Sequence, residues 1–241
     1  MDNVEKVIDD IILWLREKVK NAGAKGLVFG LSGGIDSAVI AGLAKKAFGD
    51  DALGIIMPIF SNPEDEEHAK IVAKSLNLKT NSVDLSKTYE SFLRDTSLDS
   101  ENKMAKANIK PRLRMTTLYY FAQHYGYLVA GSSNASEFEV GYFTKHGDSG
   151  SDLLPLADFV KYEIRELAKA LDIPDIVIDK APSAGLWANQ TDEDEMGFSY
   201  DVLDNYVKTG KGDEVIVKKI KTMNEKSAHK RLFAPIYRRN K

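Results

Sequence analysis

Apolar residues Val4, Ile8, Ile11, Ile12, Leu15 and Val19 recur at helical spacing, and Gly23 stands where such a helix would stop. The chain is therefore expected to open with an amphipathic helix that packs on the core or on a second subunit. An apolar run from Gly26 to Leu31 then reads as a short buried strand, followed by a turn at Gly33 and Gly34 and an apolar helix from Ser37 to Phe48 closed by Gly49. Ala52 to Met57 predicts a second strand, and Ser61, Asn62 and Pro63 start another helix, with Glu64, Asp65, Glu66 and Glu67 complementing its dipole. Lys79 to Asp84 gives a third strand, a helical pattern covers about Ser86 to Tyr125, and Tyr127 to Gly131 gives a fourth. Tyr162 to Leu171 is helical again, and the remainder from Ile173 mixes an acidic turn with short helices. Strands alternating with helices predict an α/β fold, a doubly wound parallel sheet covered by helices on both faces. In such sheets ligands bind beyond the carboxyl ends of the strands, where strand order reverses. The first and fourth strands both end there in Gly and Ser clusters.

Composition narrows the chemistry. The 241 residues, 43% hydrophobic and 29% charged, suit one α/β domain spanning 1–241. With no cysteine, disulfides, thiolate zinc sites and a cysteine nucleophile are excluded. No segment approaches the ~18 uninterrupted apolar residues of a membrane span, and the acidic N-terminus resembles no leader, so a cytoplasmic protein with no membrane partner is expected. The net charge of -3 hides a basic stretch from Lys208 to Lys241. That stretch suits a solvated helix, a nucleic acid or a phosphate-rich small ligand, and the solvated surface is favoured for most of its lysines. The histidines His68, His124, His146 and His229 show no metal spacing, and Trp14 and Trp187 are expected to pack.

The strongest chemical signal is Gly30, Leu31, Ser32, Gly33, Gly34, Ile35, Asp36 and Ser37, set between a strand and a helix. Paired glycines admit an anion close to the backbone, two serines add hydroxyl donors, and the helix N-terminus offers N–H groups and positive dipole. The string lacks the Gly-Lys-Ser/Thr ending of the P-loop and the GxGxxG of dinucleotide folds. Its SGGxDS form resembles instead the PP-loop of ATP pyrophosphatases, which cleave ATP between the α- and β-phosphates. A carboxylate inside an anion site would repel phosphate, so Asp36 calls for Mg²⁺, which takes one or two protein carboxylates with phosphate oxygens and water. Glu137, six residues past Gly131, is the expected second ligand.

Further strings follow in order: NIKPRLRM at Asn108 to Met115, GSSNASE at Gly131 to Glu137, GYFTKHGDSG at Gly141 to Gly150, PLADFVK at Pro155 to Lys161, PSAGLW at Pro182 to Trp187, QTDEDE at Gln190 to Glu195 and HKR at His229 to Arg231. Together they resemble the ammonia-dependent NAD synthetases over nearly the whole chain. The resemblance implies a homodimeric enzyme of adenine-nucleotide alpha-hydrolase-like fold that adenylates the nicotinate carboxylate of deamido-NAD and lets ammonia displace AMP. By resemblance, the loop from Gly30 to Ser37 with Ser132, Lys161 and Ser183 contacts ATP, and Asp36 and Glu137 ligate magnesium. Arg112, Lys145, Asp152, His229 and Lys230 would bind deamido-NAD, so the basic stretch needs no nucleic acid. Asp36, Lys161 and Asp152 are the catalytic candidates, Asp152 or His229 as acid or base. The chain departs from the family pattern at Pro111, Ser132 and Ser149, without losing an expected ligand. A glutaminase domain of the resembling enzymes would need a cysteine, so free ammonia is the implied nitrogen source unless a separate glutaminase docks.

Three other readings compete. Gly147, Asp148, Ser149 and Gly150 spell the nucleophile string of chymotrypsin-like proteases, although that fold is all-β. A non-catalytic ATP sensor would use the same cradle without turnover. Another PP-loop amidating enzyme, such as GMP or asparagine synthetase, would share the first half of the chemistry.

Overall fold

The computed structural model describes residues 3–98, 100–182 and 191–239. Four parallel strands run in the order β3-β2-β1-β4, with β1 Leu27–Gly30, β2 Ala52–Ile56, β3 Lys79–Ser82 and β4 Leu128–Val129. The chain builds outward from β1 through β2 to β3 and then returns to place β4 on the other side of β1. The reversal of strand order therefore lies between β1 and β4. Twelve α-helices accompany the sheet among the described residues: α1 Val4–Asn21, α2 Ile35–Phe48, α3 Pro63–Ser75, α4 Ser86–Asp95, α5 Lys103–Ala107, α6 Ile109–Tyr125, α7 Ala135–Val140, α8 Lys161–Ala170, α9 Asp175–Ile178, α10 Asp192–Met196, α11 Tyr200–Thr209 and α12 Glu214–Arg231.

Alternation along the strands sorts the core into two layers, because successive side chains of a strand point to opposite faces. Leu27, Phe29 and Leu31 pack with α1, α2, α3, α8 and α9, whereas Val28, Ile55, Met57 and Val129 pack with Met115, Leu118 and Ala122 of α6. The doubly wound, two-faced sheet expected from the sequence is the fold observed. Helix α2 is apolar nearly all round and is buried between α1, α8 and the sheet. A third, smaller cluster of Val140, Met196, Phe198, Tyr200, Leu203 and Ile220 joins α7, α10, α11 and α12 into a helical wall beside the carboxyl ends of the strands.

Three expected elements differ in detail. Helix α2 begins at Ile35 rather than Ser37, which puts Asp36 in its first turn. The expected strand Tyr127 to Gly131 narrows to Leu128–Val129, continued by a single parallel bridge between Ala130 and Leu153. The helical stretch 86–125 is three helices: α4 ends before Ser97, whose φ of 51° stops a helix, and the side chain of Asn102 caps a new one by accepting from Ala105 N. Pro111 falls in the first turn of α6, where no intrahelical N–H is lost. Trp14 packs against the core as expected, and Trp187 lies outside the described residues.

Candidate active site

The loop after β1 is held shut by its own serines. Ser32 N–H donates to Ser37 Oγ at 3.2 Å, the two hydroxyls are 3.0 Å apart, and Ser37 Oγ–H donates to the carbonyl of Gly34 at 2.9 Å. Gly33 takes φ +80°, and a Cβ there would lie 2.1 Å from the carbonyl oxygen of Asp65, so only glycine lets the loop rest on α3. Gly34 caps α2 in an extended conformation, without a side-chain partner for the first N–H groups. The cradle thus leaves the first amides of α2 without a side-chain cap at the helix N-terminus, as an anion site requires.

Across the strand reversal, the loop after β4 carries Ser132 and leads into α7. Asn134 and Glu137 form a reciprocal capping box: Asn134 Oδ1 accepts from Glu137 N at 3.0 Å, and Asn134 N–H donates to Glu137 Oε2 at 3.4 Å. The same Asn134 reaches back to α2, its Nδ2 donating to Asp36 Oδ1 at 2.9 Å. Lys161, the first residue of α8, donates to Asp36 Oδ2 at 2.6 Å and to Glu137 Oε1 at 3.5 Å. A cation at a helix N-terminus opposes the dipole, so these carboxylates are what hold it there. Lys161 is 2% exposed and sits 4.9 Å from the centre of the Tyr200 ring. The Tyr200 hydroxyl donates to Asp192 Oδ2 at 2.9 Å and stands 3.4 Å from Glu137 Oε1.

The electrostatics follow from this crowding. Glu137 is pushed up to about 8, chiefly by burial and also by Asp36 and Asp192, against the pull of Lys161. Burial would depress Lys161, but Asp36 and Glu137 facing its ammonium leave it above the ordinary lysine value. Tyr200 is raised by burial and by Glu137 and Asp192, so it remains a phenol that donates.

A cavity of about 520 Å³ opens from the cradle to the start of α6 and the end of α12, within the range of small-molecule sites. Its lining unites Ser32, Asp36, Ser37, Ser132, Glu137 and Lys161 with Arg112, Lys145, His229 and Lys230. At the far end the cations are linked: Arg112 donates through Nε and Nη2 to Lys145 O, and Lys145 Nζ donates to His229 O at 2.6 Å. Lys230 Nζ donates to the carbonyls of Gly141 and Phe143, both at 2.9 Å, and burial holds it below its ordinary value.

Asp36 and Glu137 face one another with oxygen donors only, which suits a hard cation such as magnesium. Among the described residues, no group of three or more His, Asp or Glu side chains is arranged to hold a metal unaided. The donor set fits an ion that takes its other ligands from phosphate and water.

Among the described residues expected at the site, Gly33 and Asp152 do not join the cavity lining. Asp152 spends both oxygens on the protein, accepting from Tyr119 Oη–H at 2.9 Å and Val129 N–H at 2.8 Å, and ties α6 to β4. These two bonds brace the sheet. Ser183 lies outside the described residues. Ser149 offers no hydrolase nucleophile: its hydroxyl donates to Thr144 O at 3.1 Å, and the fold is not all-β. The structure adds residues that the sequence did not single out, namely Asn134, Asp192, Tyr200 and Arg114. The Arg114 guanidinium lines the cavity, donates to Met57 O and Ser61 Oγ, and is pulled down to about 10 by burial. Asn134 left a signal in the Asn-x-x-Glu spacing of a capping box, Arg114 and Asp192 lie within the NIKPRLRM and QTDEDE strings, and Tyr200 lies in none of the strings.

A sequence model of the family described as NAD synthase matches residues 7–234. The chain is 55% identical to an NH(3)-dependent NAD(+) synthetase of Finegoldia magna, over 96% of this chain and 95% of that one. It is 53% identical to the protein of the same name from Carboxydothermus hydrogenoformans, over 95% and 96%. Among solved structures, the NMN synthetase of Francisella tularensis superposes with a TM-score of 0.93 at 39% identity, covering 97% of this chain and 98% of that one.

Proposed function

Since the chain belongs to the NAD synthase family, we propose that its cavity forms NAD from deamido-NAD and ammonia while converting ATP to AMP and pyrophosphate. The enzyme is a carbon–nitrogen ligase. The observation that carries the detailed reading is the meeting of the Ser32–Ser37 cradle with Asp36, Glu137 and Lys161 at the reversal of strand order.

A carboxylate is a poor acyl donor, so its oxygen first attacks the α-phosphorus of ATP, and the bond to the bridging oxygen of pyrophosphate breaks. The leaving diphosphate is received by the amides and hydroxyls of the cradle. Ammonia then attacks the acyl carbon of the mixed anhydride, AMP departs with the bonding electron pair, and the excess proton of the new amide is lost. Lys161 stands ready-charged beside the phosphates, and fixed charge of this kind lowers the barrier because it needs no reorganisation. Asp36 and Glu137 would hold magnesium, which when bound neutralises phosphate oxygens. Ser132 and Ser183 belong to the ATP side of the proposal. Arg112, Lys145, His229 and Lys230 form the cationic end that meets the diphosphate and carboxylate of deamido-NAD.

The protein is proposed to act as a cytoplasmic homodimer and to take ammonia as such. A ladder of aromatic residues on α6 supports the dimer: Tyr119, Tyr120 and Tyr125 are exposed, Tyr120 by 73%, and Phe121 stacks on Tyr125. No helix among the described residues is long and apolar enough to cross a membrane.

The similarity to an NMN synthetase favours a second reading, amidation of nicotinate mononucleotide in the same cavity. One assay tests both: ATP, Mg²⁺ and either deamido-NAD or nicotinate mononucleotide, with and without ammonium, following amide, AMP and pyrophosphate. Amide and AMP are expected in equal amounts with deamido-NAD as the better substrate. Release of ADP and orthophosphate would overturn the mechanism.

A further inference from the structure

The geometry points to a second task for Lys161, resting on the reading above: it bars free divalent cations from the Asp36–Glu137 pair, so that the metal enters only together with the nucleotide.

All four carboxylate oxygens of the pair are engaged without any metal. Asn134 takes one from each residue, its Nδ2 on Asp36 Oδ1 at 2.9 Å and its N–H on Glu137 Oε2 at 3.4 Å. Lys161 Nζ takes the other two, at 2.6 Å from Asp36 Oδ2 and 3.5 Å from Glu137 Oε1. A divalent ion arriving alone would have to displace the ammonium from both carboxylates and then remain beside it, since like charges at such separations repel strongly inside a protein. The ammonium cannot swing away from the pair into bulk solvent, because Lys161 is 2% exposed, its stem starts at the first residue of α8, and the Tyr200 ring lies 4.9 Å from Nζ, so it stays at the cavity wall. A triphosphate alters this balance. Its oxygens accept from Lys161 and ligate the metal, so both cations share the site without competing for the same four oxygens. The ammonium acts as a resident counterion that stands in for the metal until nucleotide arrives.

The test is a titration of the full chain with Mn²⁺, followed by the loss of its free-ion paramagnetic resonance signal. Wild-type protein is expected to show no stoichiometric uptake below millimolar Mn²⁺ alone, and one bound ion per chain when α,β-methylene-ATP is added. Lys161→Met is expected to bind Mn²⁺ without nucleotide at least tenfold more tightly than wild type, and a further Asp36→Asn change is expected to remove that binding. Saturable one-to-one uptake of Mn²⁺ alone by the wild type, lost on Asp36→Asn, would overturn the inference even if Lys161→Met failed to fold. So would a folded Lys161→Met no better than wild type. If Mn²⁺ and α,β-methylene-ATP bound wild type and Asp36→Asn equally well, the metal assignment itself would fall instead.

Discussion

At the scale of single residues, the site depends on a few charges that cannot be altered one at a time without effect. Asp36→Asn keeps the shape of the side chain and removes its charge, so pyrophosphate release should fall below roughly one per cent of wild type, the loss of about 3 kcal/mol of transition-state stabilisation. Circular dichroism should be unchanged; an active Asp36→Asn enzyme would end its assignment as a metal ligand. Glu137 gives a prediction in pH. Its folded value of about 8 lies above the 4.5 of an unperturbed glutamate, so between those values the folded state binds more protons than the unfolded one. The stability of the nucleotide-free protein should therefore decline as pH rises through that window. Urea denaturation of Glu137→Gln should show a flatter profile, and an unchanged slope would refute the assignment. Asp36 and the serines were legible in the sequence because cradle chemistry is local, six consecutive residues from Ser32 to Ser37. Asp192 and Tyr200 were not. Tyr200 reaches Glu137 across 63 positions and Asp192 is tied to Tyr200, an arrangement that depends on α10 and α11 packing against α7, which no local spacing encodes.

At the scale of elements, the anion cradle works because α3 supports it from below. Gly33→Ala would force a Cβ to within 2.1 Å of the carbonyl of Asp65 at a φ of +80°, so the loop must lift off the helix. A stability loss of about 1–3 kcal/mol and at least a tenfold weaker affinity for ATP analogues are expected, read by thermal melts and calorimetry. Normal nucleotide binding in that variant would show that the loop does not need its seat on α3. The strands β1 and β2 could be read as short continuous apolar runs, since both their faces are buried, and α1 from its one apolar stripe. The stretch 86–125 misled for a physical reason. Its break is written in Thr96, Ser97, Ser100 and Asn102, poor helix formers that the apolar spacing on either side passes over, and what ends α4 is the backbone at Ser97 together with competition from Asn102 as a new cap.

At the scale of the whole molecule, the aromatic ladder on α6 should be covered by a second copy. Sedimentation should give twice the mass of one chain, and Tyr120→Glu, at a position 73% exposed, should shift the protein toward monomers without unfolding it. A Tyr120→Glu dimer as tight as wild type would place the interface elsewhere. The sheet has a further consequence at this scale. Its seam between β1 and β4 is stitched by only two register pairs, Leu27 with Leu128 and Val28 with Val129. The two carboxylates proposed to hold the metal hang from opposite sides of that seam, Asp36 beyond β1 and Glu137 beyond β4. Whatever grips both therefore acts as a rivet across the weakest join of the scaffold, and amide hydrogen exchange along residues 128–131 should slow when nucleotide and metal are added. Substrate occupancy and architectural rigidity are in this way one event, and the empty enzyme is expected to breathe along the line where its chemistry takes place.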